Sequence, residues 1–165
     1  KLVEILCFCL MPNHYHFLLR QELDNGITEF MRKIGTGYTN YFNIVYDRVG
    51  PLFQGKFKAV HVAEEPHLLY LPHYIHLNPL DLFMPEWRER NIRNAAEALK
   101  FLKSYRWSSY QDFIGKKNFP SIIQPVPFLQ TYYGSSTSII KYEKEIAEWL
   151  KSFDYFDALQ EVILE

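Results

Sequence analysis

Two pairs of residues have the types and spacing for metal-assisted chemistry. His14 and His16 lie two apart in Met11–Leu19, MPNHYHFLL. In a strand that spacing turns both imidazoles to one face, while Tyr15 and Phe17 face the other. Neighbouring imidazoles can share a divalent cation, and a mixed nitrogen and oxygen shell is tolerated. Tyr74 and Asn78 lie four apart in Glu64–Pro79, EEPHLLYLPHYIHLNP, which puts them one turn apart on one helix face. Asn78 offers an amide oxygen as a third metal ligand, and Tyr74 offers a phenol oxygen as a nucleophile. Tyr70 is the rival nucleophile on that face, ranked lower because it is too far from Asn78 to repeat the pairing. Each feature alone is common in ordinary packing and turns; the combination is what points to a reactive centre.

The elements that must position these groups follow from the pattern. Leu2–Leu10 is an apolar run broken only by Glu4 and fits a central strand, Pro12-Asn13 is turn chemistry, and His14–Leu19 is the return strand of a hairpin. Asp24-Asn25-Gly26 punctuates the chain ahead of a helix from about Ile27 to Tyr46, where apolar residues recur at three- and four-residue spacing. Leu52–Val62 alternates as a strand with Lys56 and Lys58 on its outer face, suited either to a phosphate backbone or to protecting an edge. Glu64-Glu65-Pro66 starts the helix carrying Tyr74 and Pro79 ends it. Pro72 has no N–H for the carbonyl of Leu68 and predicts a kink or restart just before Tyr74. His73 and His76 read as surface residues of this helix, His61 as a packing histidine and His67 as exposed.

Further on, Arg88, Arg90, Arg93, Lys100, Lys103 and Arg106 recur beside Trp87, Tyr105 and Trp107. Cations interleaved with aromatics suit a single-stranded backbone with stacked bases. The solvated basic face of an amphipathic helix over Asn91–Lys103 accounts for them equally well. A second amphipathic helix is expected over Ile139–Leu150.

Composition sets the limits. The chain has 165 residues, enough for one compact domain with a real core, and 48% hydrophobic content argues against disorder. The net charge of −1 hides an asymmetry, because Glu143–Glu165 holds seven acids against Lys144 and Lys151. Residues 1–142 keep sixteen basic and twelve acidic side chains, a net of +4, which permits a phosphate-bearing partner. Cys7 and Cys9 lie two apart on one strand, where a bridge is awkward, so a reduced setting is expected. With no signal peptide and no apolar run of membrane-spanning length, the expectation is a soluble cytoplasmic protein.

Four ordered blocks carry a resemblance: MPNHYHFLL at Met11–Leu19, GPLFQGKFK at Gly50–Lys58, YIHLNPL at Tyr74–Leu80, and YRWSSY at Tyr105–Tyr110. Together they resemble the REP-associated tyrosine transposases, single-tyrosine members of the HUH class, over about Lys1 to Gly115. The resemblance implies an α+β fold, an antiparallel sheet with helices packed on it in the ferredoxin-like HUH arrangement, with that fold's first strand and helix expected to be missing. It implies a catalytic domain over residues 1–115, leaving 116–165 as a mostly helical, acidic extension. It implies Tyr74 as nucleophile, His14, His16 and Asn78 as ligands of Mg²⁺ or Mn²⁺, and single-stranded or hairpin DNA as partner of a monomer or homodimer. Lys56, Lys58, Arg88, Arg90, Arg93, Lys103, Arg106 and Trp107 are the candidate DNA contacts. The expected activity is cleavage and rejoining of single-stranded DNA through a 5′-phosphotyrosine. The alternatives are a non-catalytic hairpin-binding descendant and a metal phosphodiesterase that uses water.

Overall fold

A computed structural model of the chain describes residues 1–89, 91–134 and 138–151. Arg90 and the acidic residues beyond 151 lie outside the described residues. The fold is α+β: β1 (Val3–Leu10) and β2 (Tyr15–Gln21) pair as an antiparallel two-stranded sheet, and the remaining described elements are helical. They are α1 (Gly26–Val45), α2 (Glu65–Leu77), two 3-10 turns (Asn78–Leu82 and Pro85–Glu89), α3 (Ala95–Ser104), α4 (Tyr110–Phe113), α5 (Pro125–Tyr133) and α6 (Ser138–Trp149).

The described residues divide into two compact units, residues 1–4 with 19–61, and residues 5–18 with the described residues from 62 to 151. In the first unit the amide of Glu22 donates to the carbonyl of Leu2, and Arg20 pairs with Glu4. Asn25 adopts a left-handed backbone, φ 58°, a conformation Asn tolerates better than most residues, and α1 follows at once. Gly26 is needed there, because a Cβ at this position would lie 2.2 Å from the carbonyl oxygen of Leu2. The strand expected over Leu52–Val62 is not formed, and Lys56, Lys58 and His61 are exposed on a loop. Alternation fixes which way side chains point in a strand but supplies no partner edge, and no described segment pairs with this one. The packing role expected for His61 falls with it.

The second unit holds the main core. Cys7, Phe8 and Cys9 are buried in succession, so β1 is covered on both faces here, and both cysteines are free. On β1 an isolated antiparallel bridge joins Cys9 to Ser108: Leu10 N–H donates to Trp107 O (2.8 Å) and Ser109 N–H to Phe8 O (3.0 Å). The YRWSSY block thus supplies a three-residue stand-in for a strand. Leu77, Leu80, Trp87, Leu102, Tyr110 and Phe113 fill the core, together with Leu129, Tyr142, Ile146 and Leu150 from the stretch beyond residue 116.

The helix α2 runs as one piece from Glu65 to Leu77 with Pro72 inside it, so the expected restart before Tyr74 does not occur. Burial explains the tolerance: Tyr70, Pro72, His73, Ile75, His76 and Leu77 are all buried, and packing on most of the circumference outweighs one lost hydrogen bond. His73 and His76 are therefore core residues, which corrects their reading as helix surface.

Candidate active site

All four residues of the two opening pairs fall within the second unit. The turn Met11–His14 closes with Met11 N–H donating to His14 O at 2.9 Å. The rings of His14 and His16 then stand 5.0 Å apart, nearly perpendicular. His14 is exposed, and its Nδ1 meets Asn13 Oδ1 at 2.6 Å. A carbonyl oxygen only accepts, so Nδ1 carries the proton and Nε2 keeps the lone pair that a metal needs. His16 is half-buried, and its Nε2 is a buried atom with no hydrogen-bond partner. Burial pushes the His16 imidazole down to about 4, with the charges of His14 and Arg88 adding and Asp81 opposing.

The nucleophile candidate faces this pair. The ring centroid of Tyr74 lies 6.0 Å from that of His16. Asn78 is fully buried where α2 tightens into the 3-10 turn, its backbone still helical at φ −51° and ψ −35°. Its Nδ2 donates to the carbonyl of Tyr74 at 2.8 Å, which fixes the amide so that Oδ1 faces away from the helix end and accepts from Arg88 Nη2 at 3.0 Å. Tyr70 is buried, and burial pushes its phenol above the usual range.

Arg88 binds the site together. Its Nε and Nη2 fork onto Asp81 Oδ1 and Oδ2 at 2.8 and 2.7 Å, and its Nη1 reaches Tyr74 Oη at 3.4 Å. Trp87 Nε1 donates to the same Asp81 carboxylate at 2.6 Å, and the guanidinium carbon sits 4.8 Å from the Trp87 ring centroid. Asp81 had no signal of its own, and Trp87 was marked only as an aromatic beside the cations: the partners lie six and seven residues apart across an irregular connection. The other expected contacts are dispersed. Lys103 is ion-paired with Glu143, Arg93 is exposed and lies 4.0 Å from Glu86, and Arg106 stacks over Trp107 at 4.6 Å.

Behind α2 runs a second polar system that the sequence reading missed. His76 Nδ1 meets Tyr142 Oη at 2.5 Å and its Nε2 meets Ser109 Oγ at 2.8 Å. Ser109 Oγ also accepts from Phe8 N–H (2.9 Å) and donates to Phe8 O (3.1 Å). Hydroxyl and imidazole protons can satisfy this in one direction: Tyr142 donates to His76, His76 to Ser109, and Ser109 to β1. Burial holds His76 well below the usual imidazole range. One turn back, His73 Nδ1 donates to Leu69 O at 3.0 Å and its Nε2 lies 3.1 Å from Glu145 Oε2, which also accepts from Tyr133 at 2.5 Å. Burial would raise the Glu145 carboxyl, but these two bonds outweigh it and hold the group below its ordinary range.

The donor set fits a divalent cation. It consists of two imidazoles with Nε2 atoms free of protein partners and an amide oxygen whose second lone pair is left by Arg88. Among the described residues no cluster of three His, Cys, Asp or Glu side chains offers an alternative metal site, and no helix is long and apolar enough to cross a membrane.

Residues 1–78 match the family model described as Transposase IS200 like. No curated protein and no solved structure matches the chain.

Proposed function

From the match of residues 1–78 to the IS200-like transposase family model, we propose that the chain is a metal-dependent transesterase that cleaves and rejoins single-stranded DNA near hairpins through Tyr74. The observation that supports this reading is the Tyr74 ring 6.0 Å from that of His16, whose buried Nε2 has no hydrogen-bond partner, with Asn78 bonded to the Tyr74 carbonyl one turn on.

In the proposed reaction Tyr74 Oη attacks a backbone phosphorus. The Oη–P bond forms, the P–O3′ bond breaks, the phenol gives up its proton, and the departing oxygen takes one to become a 3′-hydroxyl. The product is a 5′-phosphotyrosine, and attack by another 3′-hydroxyl reverses the step and joins new ends. His14, His16 and Asn78 would hold Mg²⁺ or Mn²⁺, whose charge polarises a non-bridging phosphate oxygen. The chain's own part is orientation. The i,i+4 bond from Asn78 to Tyr74 ties ligand and nucleophile to one helical turn, and the packed core beneath α2 keeps that turn from yielding. The exposed Trp107 and the cation stacked on it, on the segment paired with β1, would receive an unstacked base and its phosphate. Lys56, Lys58 and Arg93 are exposed cations available for DNA backbone contacts.

The test is incubation of the purified chain with labelled single-stranded hairpin DNA and Mn²⁺. A covalent protein–DNA adduct is expected, abolished in Tyr74→Phe. Hairpin binding without an adduct would instead assign a binding role, and cleavage that survives Tyr74→Phe would assign a water-using phosphodiesterase.

A further inference from the structure

We propose that Arg88 is a catalytic residue, whose Nη1 edge binds a non-bridging oxygen of the phosphate that Tyr74 attacks. The proposal rests on the transesterase reading above and adds a residue to it. A guanidinium has five N–H donors in a fixed fork. Nε and both hydrogens of Nη2 are engaged with Asp81 and the Asn78 amide oxygen, so four of the five are directed once Nη1 also reaches Tyr74 Oη. The remaining Nη1 hydrogen meets no described acceptor, and the side chain is 43% exposed. It therefore stands beside the phenol oxygen, open to solvent, at the place where the phosphorus must approach.

The support behind Arg88 is what an anion-binding arginine needs. Asp81 grips the far side of the fork, Trp87 fixes Asp81 through its indole N–H, and the Trp87 ring carries the guanidinium plane. The group cannot swing with the substrate, so little reorganisation remains when charge develops on the phosphate. One side chain also touches the nucleophile and the amide ligand at once. A surface arginine recruited only to track a DNA backbone would need neither the carboxylate collar nor those two contacts.

The experiment has two readouts on the full chain. Single-turnover adduct formation is measured with Mn²⁺ at saturating concentrations of an oligonucleotide pool that carries a hairpin flanked by randomised single strands. The affinity of cleavage-dead Tyr74→Phe for the same pool is measured across salt concentrations. Arg88→Ala is expected to slow adduct formation by about 10²–10³-fold, the usual effect of removing one preorganised donor to a developing charge. Arg88→Lys keeps the charge and most of the volume but loses the fork, and should slow it by at least ~10-fold. In the Tyr74→Phe background, replacing Arg88 with Ala should lower the slope of log affinity against log salt by about 1, as expected when a single phosphate is no longer neutralised. Wild-type rates in folded Arg88→Lys, or an unchanged salt slope, overturn the proposal. Failure of the unmodified chain to form any adduct overturns the transesterase reading instead, and the salt slope then decides separately whether Arg88 touches phosphate.

Discussion

At the scale of single residues, the candidate site is a set of groups whose orientation and protonation are set by their immediate neighbours. His14 and His16 illustrate two ways of keeping an imidazole lone pair available: a carbonyl partner that fixes the tautomer, and burial that disfavours the proton. His14→Ala and His16→Ala should each weaken Mn²⁺ binding by at least ~10-fold, since even outer-sphere partners of metal ligands are worth about 10–100-fold; titration calorimetry reads this directly. Tyr74→Phe removes only a hydroxyl with one long contact at 3.4 Å, so the variant should melt within about 2 °C of the parent, as expected when less than ~0.5 kcal/mol changes. Loss of its adduct would then be chemical and not structural. The proximity within each pair was legible from spacings of two and four, although β2 begins at Tyr15 and α2 ends at Leu77, so that His14 and Asn78 flank the expected elements. Asp81, Ser109 and the role of Trp87 in holding Asp81 were not legible, because their partners are set by the path of the chain between elements. Ser109 stood in plain view in YRWSSY, but its contact with Phe8 spans 101 residues.

At the scale of elements, hydrophobic period located the helices well and one strand badly. The expected helix over Ile27–Tyr46 appears as Gly26–Val45, and that over Ile139–Leu150 as Ser138–Trp149. The segment Leu52–Val62 failed because its alternation had no edge to meet, whereas Trp107–Ser109 pairs with β1 despite being too short to register as a strand. Pro72 misled in the same way: a local rule about helix interiors yielded to burial around α2. Two variants test element joints. Gly26→Ala should destabilise by about 1–3 kcal/mol, because its Cβ would collide with the backbone oxygen of Leu2 and overpacking is costly. Ser109→Ala leaves a buried Phe8 amide and a buried His76 nitrogen unsatisfied, and should cost about 1–3 kcal/mol or more in urea unfolding with an unchanged m-value.

At the scale of the whole molecule, stability should depend on pH through the buried imidazoles. His16 is pushed down to about 4 and His76 is held well below the usual range. In the unfolded chain both take up protons near pH 6.5, while in the folded chain they resist. The unfolded state therefore binds more protons as pH falls below 6.5, and stability declines from there, through about 4 for His16, with His76 likewise resisting protonation well below its ordinary range. Each excluded proton contributes at most about 1.4 kcal/mol per pH unit, so the melting temperature should fall by several degrees between pH 7 and pH 5. A flat profile over that window would contradict neutral burial of these histidines. The fold class and the clustering of the opening residues were readable from one sequence. The two-unit division was not, because the boundary passes through β1 and β2 themselves and no change of composition marks it.

The one-way chain of hydrogen bonds from Tyr142 through His76 and Ser109 to β1 gives α2 a spectroscopic signature. In that direction His76 is the Nε2–H tautomer, with the proton sealed from water. That proton should resonate far downfield and exchange slowly. Its sharpness would report, without any substrate or metal, whether the helix bearing Tyr74 is seated on the sheet.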